Sequence, residues 1–119
     1  MTELDAPDCK IFVDADVTET ELMGMIGQLL TDGPDTRAEM EFFVNEDFDE
    51  KRRKLFPDGF IYFRYFVDLY MSTPEDKVPV VATILRQLWY WGFPAVAACN
   101  YEDQLPEHGG YKSRAVPWP

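Results

Sequence analysis

An α+β domain, with two helices laid against a four-stranded antiparallel sheet, is the fold class that the amino-acid sequence predicts. Three observations carry this expectation: two apolar stripes of helical period, four short runs rich in β-branched and aromatic residues, and their order along the chain, strand, helix, strand, strand, helix, strand. A chain of 119 residues suits one domain (1–119), with a core over about 8–101 and a tail over 102–119. Hydrophobic residues make up 46% of it and aromatic ones 15%, enough apolar surface to offset the ordering of the backbone, so folding rather than disorder is expected.

Cys9 to Asp14 reads as the first strand, ended by the turn-favouring Asp14-Ala15-Asp16. Thr18-Glu19-Thr20-Glu21 is a capping box, in which the Thr18 hydroxyl and the Glu21 carboxylate each take an orphaned backbone N–H. The helix it starts carries Leu22, Met25, Ile26, Leu29 and Leu30 on one stripe, and Gly33-Pro34 stops it. From Thr36 to Glu46 the chain alternates, with Ala38, Met40, Phe42 and Val44 on one side and Arg37, Glu39, Glu41 and Phe43 on the other. Asp47 to Asp58 predicts a long connection with a helical turn pinned by Phe48, Leu55 and Phe56.

Gly59 to Met71 is the longest aromatic and β-branched run, and is expected to be a long central strand. Thr73-Pro74-Glu75-Asp76 signals a second helix, with Pro79 delaying its regular part and Val81, Ile84, Leu85, Leu88 and Trp89 forming its stripe up to Gly92 and Pro94. Ala95 to Asn100 is the last strand, and Tyr101 to Pro119, punctuated by Pro106, Gly109-Gly110, Pro117 and Pro119, predicts an extended tail.

This order is that of a ferredoxin-like βαββαβ sandwich, in which two right-handed crossovers place both helices on one face of the sheet. Strands one and three are then central, strand four lies beside strand one, and Cys9 comes close to Cys99. The other face is left open. On the long strand Ile61, Phe63, Tyr65, Val67 and Leu69 should face the helices, leaving Phe60, Tyr62, Arg64, Phe66, Asp68 and Tyr70 outside with Phe12 and Phe43. An aromatic patch of this kind, edged by Arg37, Glu39, Glu41 and Asp68, marks a contact site unless the tail, with Leu105, Tyr111, Val116 and Trp118, or a second copy covers it.

Charge narrows the partner. With 22 acidic and 11 basic residues the formal net charge is −11, a field that repels nucleic acid and anionic lipid and attracts basic surfaces. No apolar run reaches membrane-spanning length and Met1 to Lys10 is acidic, so a cytoplasmic protein is expected. Cys9 and Cys99 form no CxxC pair and are expected to be reduced thiols.

His108 is the sole histidine, too few imidazoles for a metal centre or for a Ser/His/Asp or Cys/His system, and no phosphate-cradling glycine loop is present. We therefore expect no catalytic residues, metal or cofactor. Gly59-Phe-Ile-Tyr-Phe-Arg-Tyr-Phe66 resembles the aromatic third strand of an RNA-recognition motif, which would give Phe12, Tyr62 and Phe66 a base-stacking role; Asp58, where that family has a basic residue, and the net charge depart from the pattern.

A second resemblance rests on Trp91 to Pro106 and Phe56-Pro-Asp-Gly-Phe60, taken with the size and acidity of the chain: it looks like small bacterial proteins of the toxin-immunity type. The resemblance implies a cytosolic single domain that binds and blocks a basic toxin domain. Acidic residues would speed encounter and aromatic ones would anchor, which makes Glu39, Glu41, Tyr62, Arg64, Phe66, Asp68, Tyr70, Glu102 and Asp103 the candidate partner-binding residues. Two other functions compete: a nucleic-acid-mimicking inhibitor, which predicts regularly spaced surface acids, and a small-molecule-binding regulatory domain, which predicts a concave pocket and a homodimer.

Overall fold

The computed structural model describes residues 7–30, 38–71 and 74–119. The Gly33-Pro34 stop, Arg37 and the Thr73 cap fall outside them. Strand β1 spans Cys9–Val13, helix α1 Glu19–Leu30, β2 Ala38–Val44, β3 Tyr65–Met71, helix α2 Lys77–Tyr90 and β4 Ala95–Ala98. The strands form one sheet in the order β2-β3-β1-β4, and each neighbouring pair is antiparallel.

Alternation sorts the sheet into two faces. Ile11, Val67 and Ala97 lie level across β1, β3 and β4, and Ile26 of α1 and Ile84 of α2 join Ile11, Val67 and Leu69 in a single buried cluster. Both helices therefore cover the same face. In α1 the buried residues are Leu22, Ile26 and Leu30, four apart as one helical stripe requires. The expected capping box is present: the Thr18 N–H donates to Glu21 Oε1 at 3.0 Å and the Glu21 N–H to Thr18 Oγ1 at 3.2 Å. Helix α2 buries Val80, Val81, Ala82, Ile84, Leu85 and Leu88. It begins at Lys77 rather than at Pro79, because Pro79 sits in the first turn, where an N–H would have no partner within the helix.

Three expectations need correction. The long strand is half as long: Asp58–Tyr62 is a 3-10 turn, and β3 starts only at Tyr65. Its partner β2 ends at Val44, and the buried Asn45 side chain takes over from the ladder, donating to the Ile61 carbonyl at 2.9 Å and the Phe63 carbonyl at 2.8 Å while accepting from the Asp47 N–H at 3.0 Å. Gly59 packs so closely on the Arg52 and Arg53 carbonyls that the chain there cannot be a strand in the sheet. As a result Ile61 is exposed instead of facing the helices, while Phe63 stays buried.

Second, Val44 shares the inward parity of Ala38 and Met40 but is exposed, at the last position of the edge strand. Third, the segment after β4 is not an extended tail. It coils through a 3-10 turn, Glu102–Gln104, and a kinked turn over Pro106–Gly110 whose Glu107, His108 and Gly109 are left-handed, and buries Tyr101, Leu105 and Val116. Trp118 packs edge-on against Phe56 and Phe63 and donates its indole N–H to the Lys54 carbonyl at 3.0 Å. Gly110, at a φ of +96°, lies against the Ala95 carbonyl, where a side chain would collide, so the returning chain covers the edge of β4.

Candidate functional site

The open face of the sheet is built in rows. Register places Phe43, Phe66, Phe12 and Val96 level across β2, β3, β1 and β4, and Glu41, Asp68, Lys10 and Ala98 level in the next row out. Glu39 lies opposite Tyr70 beyond that. The first row extends past the sheet as a continuous line of rings: Phe43 stacks on Phe66 at 4.9 Å, Phe66 meets Phe12 at 5.9 Å, Phe12 meets Phe60 at 5.3 Å, and Phe60 meets Tyr111 at 5.7 Å.

The line is unequally covered. At the β4 end, Phe60 from the 3-10 turn and Tyr111 from the returning tail sit over it, so the tail does cover part of the face. At the β2 end, Phe43 is 37% exposed. Between the two covers lies a cleft of about 380 Å³ lined by Asp58, Phe60, Ile61, Val96, Ala98, Glu102 and Tyr111. Its walls are apolar and its carboxylates engaged: Asp58 accepts from the Tyr111 hydroxyl at 2.7 Å and Glu102 from the Cys99 N–H at 2.9 Å.

Asp68 is the unusual group. It stands in the middle of the acidic row with a side chain only 13% exposed, and its Oδ1 is buried without a hydrogen-bond partner. Among the described residues the nearest cation, Lys10 Nζ, is 3.9 Å away, beyond hydrogen-bond reach. It lies instead over the Phe66 ring at 4.4 Å from the centroid. Burial, opposed by Lys10 and aided by Glu41, pushes the Asp68 carboxyl above its ordinary range. Glu41 accepts from the Tyr70 hydroxyl at 3.0 Å, and that bond raises the Tyr70 phenol.

Comparison with protein-family models, with curated proteins and with solved structures finds no match to this chain. The geometry alone thus carries the functional argument. Of the residues singled out from the sequence, it brings Glu39, Glu41, Phe66, Asp68 and Tyr70 together on the uncovered half of the face. Arg64 is at the margin: its N–H donates to Asp14 Oδ1 at 3.0 Å and its guanidinium lies over Phe48 at 4.4 Å. Asp14, itself buried, also takes Arg53, which bridges on to Glu50 at 2.9 Å.

Tyr62 does not join the sheet face, because the 3-10 turn carries it away to lie under the Arg52 guanidinium at 5.5 Å. Glu102 borders the cleft at the far end, and Asp103 is exposed on the same turn. Sequence reasoning missed Lys10, Asp58 and Asn45. Lys10 follows from β1 parity; Asp58 and Asn45 depend on a turn that no local pattern announces.

Among the described residues no group of three or more His, Cys, Asp or Glu side chains is placed to hold a metal ion, and no helix is long and apolar enough to cross a membrane.

Proposed function

We propose that this chain is a non-catalytic, cytoplasmic binding protein of ferredoxin-like βαββαβ architecture that grips a cationic surface of another protein, in the manner of an immunity protein neutralising a basic toxin domain. The observation that carries this reading is the Asp68 carboxylate, its side chain only 13% exposed on the open sheet face, with one oxygen left without a hydrogen-bond donor. Such a group destabilises the free protein, and an incoming arginine or lysine, met by a turn of the Asp68 side chain, would supply the missing bond. Phe43, beside the Phe66 ring that Lys10 overlies, offers the apolar floor on which the stem of that cation would lie, and Glu39, Glu41 and Tyr70 the polar rim. A row of rings at the centre favours this over nucleic-acid mimicry. The cleft beside Phe60 favours a small-molecule site as the second reading.

The test is whether a toxin domain is encoded beside this gene and, where one is, co-expression of the two. Protection of the cells, a complex that weakens with salt, and loss of binding on the order of tenfold or more in Asp68→Asn and Phe66→Ala support the reading. A chain that leaves the neighbouring product active, or a complex indifferent to both substitutions, refutes it. Sedimentation of the isolated chain separates a heterologous partner from a second copy seated on the same face.

A further inference from the structure

The two cysteines are brought together by the sheet. Pairing of β1 with β4 sets Lys10 opposite Ala98, so the next pair outward is Cys9 with Cys99. Their type follows from alternation. The Asp14 N–H donates to the Pro94 carbonyl at 2.9 Å, which makes 14/94 a hydrogen-bonded pair. Steps of two along both strands give the same type to 12/96 and 10/98, leaving 13/95, 11/97 and 9/99 as non-hydrogen-bonded pairs.

The Cys99 N–H accordingly turns away from β1 and donates to Glu102 at 2.9 Å. In a non-hydrogen-bonded antiparallel pair the Cα atoms are about 4.5 Å apart, with side chains on one side of the sheet. That falls inside the window of about 4.4–6.8 Å that a disulfide spans.

Access differs between the two sulfurs. Cys9 is fully buried in the core, whereas Cys99 is half-buried at the end of β4. The two thiols perturb each other: the neighbouring sulfur lowers Cys99 to about 7 and raises Cys9, which burial raises further. Tyr101, whose hydroxyl is buried without an oxygen or nitrogen partner, lies against both, and Glu102 is the charged group beside them.

We propose that Cys99 is an oxidation site for hydroperoxides and Cys9 its resolving thiol, so that oxidation joins β4 to β1 through a disulfide within one chain. Cys99 loses its proton and its sulfur attacks one oxygen of the peroxide. The O–O bond breaks, an S–O bond forms, and the released alkoxide takes up the proton as an alcohol, or as water when hydrogen peroxide is the oxidant. Sulfur has then given up two electrons and stands as a sulfenic acid. The Cys9 sulfur attacks Cys99; the S–S bond forms, the S–O bond breaks, and hydroxide leaves with the Cys9 proton as water. The sum is two thiols and one hydroperoxide giving one disulfide, one alcohol and one water. The chain, already compact, needs no rearrangement of strands for this, and no other copy takes part.

Intact-mass analysis and thiol counting on the full chain, reduced, freed of reductant and exposed to hydrogen peroxide, test the proposal. The expected result is loss of both thiols and of two hydrogens in a monomer, reversed by dithiothreitol, with a higher melting temperature for the oxidised form. With dimedone present, the adduct should form on Cys99, and in Cys9→Ala it should accumulate there; in Cys99→Ala the remaining thiol should stay unmodified. Should Cys9→Ala fold poorly, dimedone competition on the unaltered chain locates the first oxidised sulfur by itself. Two thiols surviving peroxide that consumes a free cysteine peptide would overturn the proposal. So would a gain of oxygen in place of the loss of hydrogens, a disulfide-linked dimer, or first labelling at Cys9.

Discussion

Replacing Asp68 by asparagine should make the free protein more stable and its complex weaker. The expectation follows from what surrounds the carboxylate. Its Oδ1 is buried and unbonded, and a buried acceptor left without a donor costs about 1–3 kcal/mol. Glu41 lies directly across β2 and β3 from it, adding like-charge repulsion. Lys10, at 3.9 Å and 38% exposed, returns no more than about 1 kcal/mol because solvent screens it. The amide removes the charge and can donate to Glu41, so the net gain at neutral pH is about 1 kcal/mol, a shift of a few degrees in melting temperature for a domain of this size.

The pH dependence has a definite sign. Burial raises the carboxyl in the folded state above its unfolded value, so the native protein holds that proton more readily. Stability linked to this group is therefore fully present below the ordinary carboxylate range and is lost as pH rises through the raised folded value. Urea unfolding of both proteins should show the variant's advantage at pH 7 and its disappearance below about pH 4, where both side chains are neutral. A variant less stable than the parent at pH 7, or an advantage unchanged in acid, would refute the account of Asp68 as a desolvated charge that its pair with Lys10 does not compensate.

The remaining predictions concern what holds the site in place. Asn45→Ala removes two hydrogen bonds that tie the Ile61 and Phe63 carbonyls to the end of β2 and a third from the Asp47 N–H, and should cost about 3 kcal/mol by denaturant unfolding. Gly59→Ala puts a methyl group 2.5 Å from the Arg52 carbonyl and 2.8 Å from that of Arg53; it should destabilise by more than about 2 kcal/mol and disorder Phe60, seen as loss of its ring contacts in NMR spectra. Trp118→Ala deletes the contact with Phe56 and Phe63 and the bond to Lys54. It should cost about 2 kcal/mol and expose the 102–119 segment to limited proteolysis before the sheet.

The elements that depend on local pattern were legible in the sequence. The capping box at Thr18, the stripes of α1 and α2, and the inward and outward residues of β1 and β3 all rest on a period that the chain states within a few residues. From them the rows of the open face follow, Phe12 beside Phe66 and Glu41 beside Asp68 included. What was not legible depends on partners remote in sequence. Gly59 to Phe63 has the composition of a strand, yet β2 stops at Val44 and offers it no ladder, and the Asn45 amide fixes it in another shape. The tail reads as extended because its apolar residues are sparse; Leu105 and Val116 are buried and Trp118 packs on Phe56 and Phe63 only because the fold has left a trough for them. Tyr62 was misplaced for the same reason, being outward by count along a strand that does not reach it.

These two unannounced segments give the site its asymmetry. A bare sheet would offer a partner both edges and the whole face. Here the returning chain, at Gly109 and Gly110, lies along β4 and closes one edge, while Phe60 and Tyr111 roof the adjoining end of the ring row. At the other edge, β2 alternates Glu39 and Glu41 with inward residues, and edge charges of one sign discourage the addition of a further strand. Backbone pairing is thus disfavoured on both sides, and what is left open is the face over β2 and β3. A partner docking there meets Phe43 and Phe66 flanked by Glu41 and Asp68, so an apolar surface without a cation would leave Asp68 more deeply buried and still unbonded. If the face binds a cationic partner as proposed, the same carboxylate that destabilises the free domain would select against neutral partners, and its asparagine variant is expected to bind a cationic partner less tightly and an uncharged one more readily.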